Sequence, residues 1–148
     1  MRLLKAAGVA VVLAALAAGS GCGVIKERQQ MDRANKLFAA KKYDQAIPIY
    51  ETILKRKPNS WDANYKLAMS WMAQFHPAST HPMDQEYKTK GIAALEKLMT
   101  LTPPSPEDMA KVENYYLSLL TSAGDNDKAI AYLEKKIQKA PNDKDLVS

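Results

Sequence analysis

The chain has 148 residues, 47% of them hydrophobic and 25% charged, a globular composition with enough apolar material for one compact domain, which excludes a disordered, collagenous or disulfide-stapled chain. Lys and Arg number 21 against 16 Asp and Glu, a formal charge of +5, but the cations are scattered rather than concentrated on one stretch, so no nucleic-acid partner is expected. The single cysteine, Cys22, has no partner for an intramolecular disulfide.

The first predicted element is a leader. Arg2 and Lys5 give a cationic start, and residues 6–18 form an uncharged run of Ala, Val, Leu and one Gly, the pattern of an export signal. As a helix that run would span about 20 Å, short of the roughly 30 Å hydrocarbon core, so a permanent membrane span is the weaker reading. Without residues 1–21 the balance falls to 19 cations against 16 acids, or +3. Gly19, Ser20, Gly21 and Cys22 resemble a bacterial lipobox, although Gly19 stands where that motif prefers an aliphatic residue. The resemblance implies cleavage before Cys22, acylation of its sulfur and new amino terminus, and a lipid-anchored protein of the bacterial cell envelope. Gly23, in place of the Asp that retains enteric lipoproteins in the inner membrane, implies the outer membrane, facing the periplasm. The alternative is ordinary cleavage near residues 17–19, leaving a free thiol. Residues 22–26 would be the lipidated end and a short tether.

Beyond the tether the chain repeats itself. Ala46, Tyr50, Ile53 and Pro58 align without a gap with Gly91, Leu95, Leu98 and Pro103, and again with Ala129, Leu133, Lys136 and Pro141. Each copy reads as an amphipathic helix with a small residue where a neighbour approaches, a larger one four positions on along the same face, and a proline where a turn begins. A second helical pattern precedes each: Ala34, Leu37 and Phe38; Leu67, Ala68 and Trp71; Tyr116, Leu117 and Leu120, all at spacings of three and four. Residues 41–44 and 124–127 read as turns, with Asp44 and Asp127 as caps of the helices that follow. Pro48 stands near the start of its helix, where few backbone N–H groups have partners to lose, so that helix is kept.

Three helix–turn–helix units with shared offsets resemble the tetratricopeptide repeat (TPR) family. In the first unit the signature falls on Ala34, Tyr43, Ala46, Tyr50 and Pro58. In the third it falls on Leu117, Gly124, Ala129, Leu133 and Pro141. The second has Trp61, Leu67, Ala68 and Trp71, then Gly91, Leu95, Leu98 and Pro103, with about eleven extra residues near 74–85. The resemblance covers residues 27–143, as units of about 27–60, 61–105 and 110–143, and implies an all-α fold, a right-handed α-solenoid. Residues 144–148 resemble the start of a fourth unit. Ile130, Leu133 and Ile137 would then face no following helix, which points to a longer parent chain, or to a partner or second copy covering that face.

Family members bind extended peptides or helices in a groove lined by the first helix of each unit. Carried over residue by residue, the groove positions are Asn35, then Tyr65, Met69 and Met72, then Lys111, Asn114, Tyr115 and Ser118; Tyr65 and Tyr115 could equally pack between units. The family's two-carboxylate clamp would need Lys, Asn, Asn, Lys and Arg where Met31, Asn35, Lys66, Lys111 and Tyr115 stand, and with two matches out of five, chaperone-tail recognition is not expected. Tyr, Met and Asn suit an adaptable, partly apolar partner.

No nucleophile elbow or phosphate loop is present, so the expectation is a protein-binding scaffold, possessing neither enzymatic activity nor a cofactor. The competing reading is a metal-binding envelope protein using His76 and His81, with Asp84 and Glu86 close by; histidines five apart across two prolines share no helical face, and a stiffened surface loop explains them as well. Residues 26–42 carry six cations against Glu27 and Asp32, which either face anionic lipid headgroups or form a solvated helix face. Lys55, Arg56 and Lys57 read as complements to a helix C-terminus rather than a nucleic-acid patch.

Overall fold

The computed structural model describes residues 10–139, with side chains from Gly23 onward except that of Val24. The cationic start, the Cys22 side chain, Pro141 and the fourth-unit residues 144–148 lie outside the described part. Among the described residues the fold is all-α: α1 Ala10–Ala39, α2 Tyr43–Arg56, α3 Trp61–Gln74, α4 Pro82–Met99, α5 Pro106–Ser122 and α6 Asn126–Lys139. None of these helices is long and apolar enough to cross a membrane. Residues 22–26 lie within α1.

Short connections turn each helix back on the one before it. Each helix packs on its chain neighbours, and α1 also touches α3. The core has two parts. Ala34 of α1, Ala46, Tyr50 and Ile53 of α2 and Ala63 of α3 form the smaller. Ala68 of α3, Ile92, Leu95 and Leu98 of α4, Val112, Tyr116, Leu119 and Leu120 of α5 and Ala129 of α6 form the larger. Helix α3 thus belongs to both, with Ala63 and Ala68 fully buried. At Gly91 an added Cβ would lie 3.1 Å from the Leu119 side chain and 3.7 Å from Trp71 Cβ, so a bare Cα is what allows α4 to approach α3 and α5 together.

The turns after α1 and α5 are built alike. Lys42 N–H donates to Leu37 O and Lys41 N–H to Phe38 O, as Asp125 N–H does to Leu120 O and Gly124 N–H to Thr121 O, the paired bonds of a Schellman turn. Each turn needs one residue at positive φ: Gly124 at 75° and Lys41 at 57°. The structural counterpart of Gly124 is therefore Lys41, not Tyr43, which opens α2 as Asn126 opens α6. Asp44 and Asp127 are not caps; both lie inside the first turn of their helices, where a carboxylate still complements the helix dipole. Side-chain caps are Ser60 on α3, Ser105 on α5 and His81 on α4. Pro48 is accommodated inside α2.

The extra residues of the second unit divide between two structures. Only residues 75–81 form a connection, and α4 starts at Pro82, nine positions ahead of Gly91, whereas α2 and α6 start three ahead of Ala46 and Ala129. On α6, Ile130, Leu133 and Ile137 are exposed, Ile130 by 54%.

Candidate functional site

Seven of the eight groove residues lie on two helices that the fold joins. On α3, Tyr65, Met69 and Met72 recur at i, i+4 and i+7, which places them on one face, half-buried against the larger core. On α5, Lys111, Asn114 and Ser118 are exposed and Tyr115 is half-buried. Burial, with the neighbouring Tyr115 hydroxyl and the Asp108 charge adding to it, pushes the Tyr65 phenol up to about 12. Tyr65, Met69 and Met72 of α3 and Tyr115 of α5 all pack against the larger core.

The eighth residue stands apart. Asn35 lies on α1, and its Oδ1 accepts a hydrogen bond from the Tyr50 hydroxyl at 2.9 Å, so its acceptor is committed to α2. Burial raises the Tyr50 phenol above its ordinary range, with Asp62 adding to the effect. Lys111 is also engaged, with Nζ 3.3 Å from Asp108 Oδ1. The Ser105 hydroxyl donates to Asp108 Oδ2 at 2.8 Å while its oxygen accepts the Asp108 N–H at 3.2 Å. The hydroxyl and the Lys111 ammonium hold the Asp108 carboxyl below the usual carboxylate range. Asp108 thus fixes the start of α5 and the charged end of this face. It was absent from the residues chosen by family offset, although Ser105 followed three positions later by an acid is a readable capping pattern.

The histidine turn is closed by its own polar groups. Asp84 is buried at 7% exposure; its Oδ1 accepts the His76 N–H at 3.0 Å and lies 3.6 Å from His76 Nδ1. The Ser79 hydroxyl and the His76 amide keep its carboxyl below the ordinary range. His81 turns its Nδ1 toward the backbone, accepting the Met83 N–H at 3.2 Å to cap α4. Among the described residues no three His, Cys, Asp or Glu side chains are grouped to hold a metal ion, and Asp84 and His81 do structural work in their place.

One further concavity, of about 610 Å³, opens between α4, α5 and α6 against Met99, Met109, Tyr116 and Tyr132. The two tyrosine rings meet edge to face at 5.2 Å. The Tyr116 hydroxyl donates to Glu96 Oε1 at 3.0 Å, and burial with that bond pushes its phenol up to about 12. Lys136 pairs with Glu113, so its walls are largely satisfied by one another. Comparison of the chain with protein-family models and with curated proteins found no match.

Proposed function

We propose that the chain is a lipid-anchored helical adaptor of the bacterial envelope, built as a TPR-type solenoid, that holds a peptide or helix of a partner protein across α3 and α5. The observation that carries this reading is that Tyr65, Met69 and Met72 of α3 and Tyr115 of α5 are half-buried against one core, while Asn114 and Ser118 of α5 are exposed. Methionines adapt to varied apolar side chains, and the adjoining amide and hydroxyl can meet a backbone. Two further features support the repeat reading. Ala46, Gly91 and Ala129 are all buried, and the turns at Lys41 and Gly124 have the same hydrogen-bond pattern. The anchor reading rests on the residues before Cys22.

Photo-crosslinking amino acids placed at Met69 and Ser118, compared with one at the exposed Ala93 of α4, test the surface in intact envelopes. The α3 and α5 positions should give a discrete adduct of one mass that Ala93 does not; no adduct, or the same adduct from Ala93, would count against it. Palmitate labelling tests the anchor separately, with incorporation into the wild-type chain and none into Cys22→Ala.

A further inference from the structure

The sequence places six cations in residues 26–42, but on α1 these cannot act together near the anchor. From Lys26 to Lys36 they spread over about 15 Å of helix axis at 1.5 Å per residue, and Lys41 and Lys42 stand beyond the end of α1, remote from Cys22. The fold replaces them from another helix. Because α2 returns antiparallel to α1, its basic tail arrives beside the middle of α1: Lys57 pairs with Glu27, and the Arg56 guanidinium donates to Gln30 Oε1 at 3.2 Å. Lys97, in the last turn of α4, reaches the same end, donating to Asn59 Oδ1 at 3.3 Å. Lys26, Arg28, Lys55 and Arg56 are exposed there, and among the described residues none of them lies within ion-pair distance of a carboxylate. Of the acids at this end Glu27 is engaged with Lys57, Asp62 with Lys66 and Asp108 with Lys111, while Glu107 at the start of α5 is exposed.

We infer that this face, formed by the Lys26–Gln30 stretch of α1 and the tail of α2, is a docking face for an anionic phospholipid surface. Four exposed cations and Lys97 are gathered from three helices, and Glu27, the acid among them, is already neutralised. The face is also continuous with the chain that leads to Cys22, since α1 is helical from Ala10 and Glu27 is about 7 Å along the axis from residue 22. Phosphodiester headgroups supply the complementary charge, and a bilayer presents them in a plane that an end face can meet. The orientation this gives rests on the anchored reading, whereas the charge of the face does not. The body would stand upright on the headgroups, with the residue 75–81 turn and the α5–α6 turn farthest from the membrane.

The test uses the chain without residues 1–22, which keeps every residue of both cores and lacks the apolar run that would itself enter a bilayer, with a single fluorophore attached at Asn59→Cys or at Ala78→Cys, and vesicles of phosphatidylcholine alone or with 30 mol% phosphatidylglycerol and a nitroxide-headgroup quencher. With about fivefold preference per cation near such a surface, quenching at position 59 should be strong on anionic vesicles and weak on neutral ones. The pair Lys55→Gln and Arg56→Gln should weaken that preference about thirtyfold, while the equally charged pair Lys42→Gln and Lys128→Gln should leave it. Quenching independent of phosphatidylglycerol, equal losses in the two pairs, or equal quenching at position 78 would overturn the assignment. A failure of palmitate labelling would remove the anchor and leave this outcome unaffected.

Discussion

Lys41 holds a backbone conformation that an L side chain resists. At φ 57° its Cβ crowds the following carbonyl at a cost of about 1–2 kcal/mol, which Gly124 avoids in the equivalent turn. Lys41→Gly should therefore stabilise the chain by about 0.5–1 kcal/mol in urea unfolding, the gain reduced by the greater backbone entropy of glycine in the unfolded chain. Tyr65 makes a different kind of contribution. Its phenol is raised from 10 to about 12, so the folded state favours the neutral form; the associated stability is complete below pH 10 and is lost as pH rises from 10 through 12. Tyr65→Phe should flatten that alkaline decline in urea unfolding. A variant that declines as steeply as the wild type would assign the effect to another tyrosine.

At the scale of the element, α4 shows how one helix can be extended and anchored without disturbing its neighbours. Its added turns before Gly91 are secured by Asp84, which accepts the His76 N–H of the preceding connection, and by His81, which accepts the Met83 N–H at the start of α4. Asp84 titrates below the ordinary range because hydrogen bonds favour its charged form. The stability it contributes is present above about pH 4 and fades as pH falls below that. Amide exchange in residues 76–84 should accelerate on acidification below pH 4, and Asp84→Asn should show the faster exchange already at pH 7. Further along α4, Gly91→Val should destabilise by about 1–3 kcal/mol in thermal or urea unfolding, since the 3.1 Å approach of Leu119 leaves no room for branched carbons. Glycine at 91 was legible as a small residue from its alignment with Ala46 and Ala129. Its reason was not, because the contacting Leu119 and Trp71 belong to helices that only packing brings together.

For the whole molecule, contacts run mainly between successive helices, so stability should be distributed locally, as in a stack of repeats. Tyr50 is fully buried in the smaller core, and Tyr50→Ala should cost about 3–5 kcal/mol there. By hydrogen exchange, α1 and α2 should lose protection while α4 and α5 keep most of theirs; uniform loss would show one cooperative core instead. The sequence by itself determined the helical class and the faces each helix buries, because amphipathic spacing, prolines and capping serines act within a few residues: Ala34, Ala46, Tyr50, Leu95, Leu98 and Leu120 are buried as their periodicity required. The seven residues carried over from the family's groove positions lie on α3 and α5. Tertiary structure decided which side chains meet across helices. It set Tyr65 and Tyr115 against one core, turned Asn35 toward Tyr50, and carried Arg56 and Lys57 to Gln30 and Glu27 in the middle of α1 while leaving Lys41 and Lys42 at the far end. Periodicity reports which face of a helix avoids water, but the direction in which the next helix returns sets which charges and hydroxyls share a surface, and that depends on packing between residues distant in the chain.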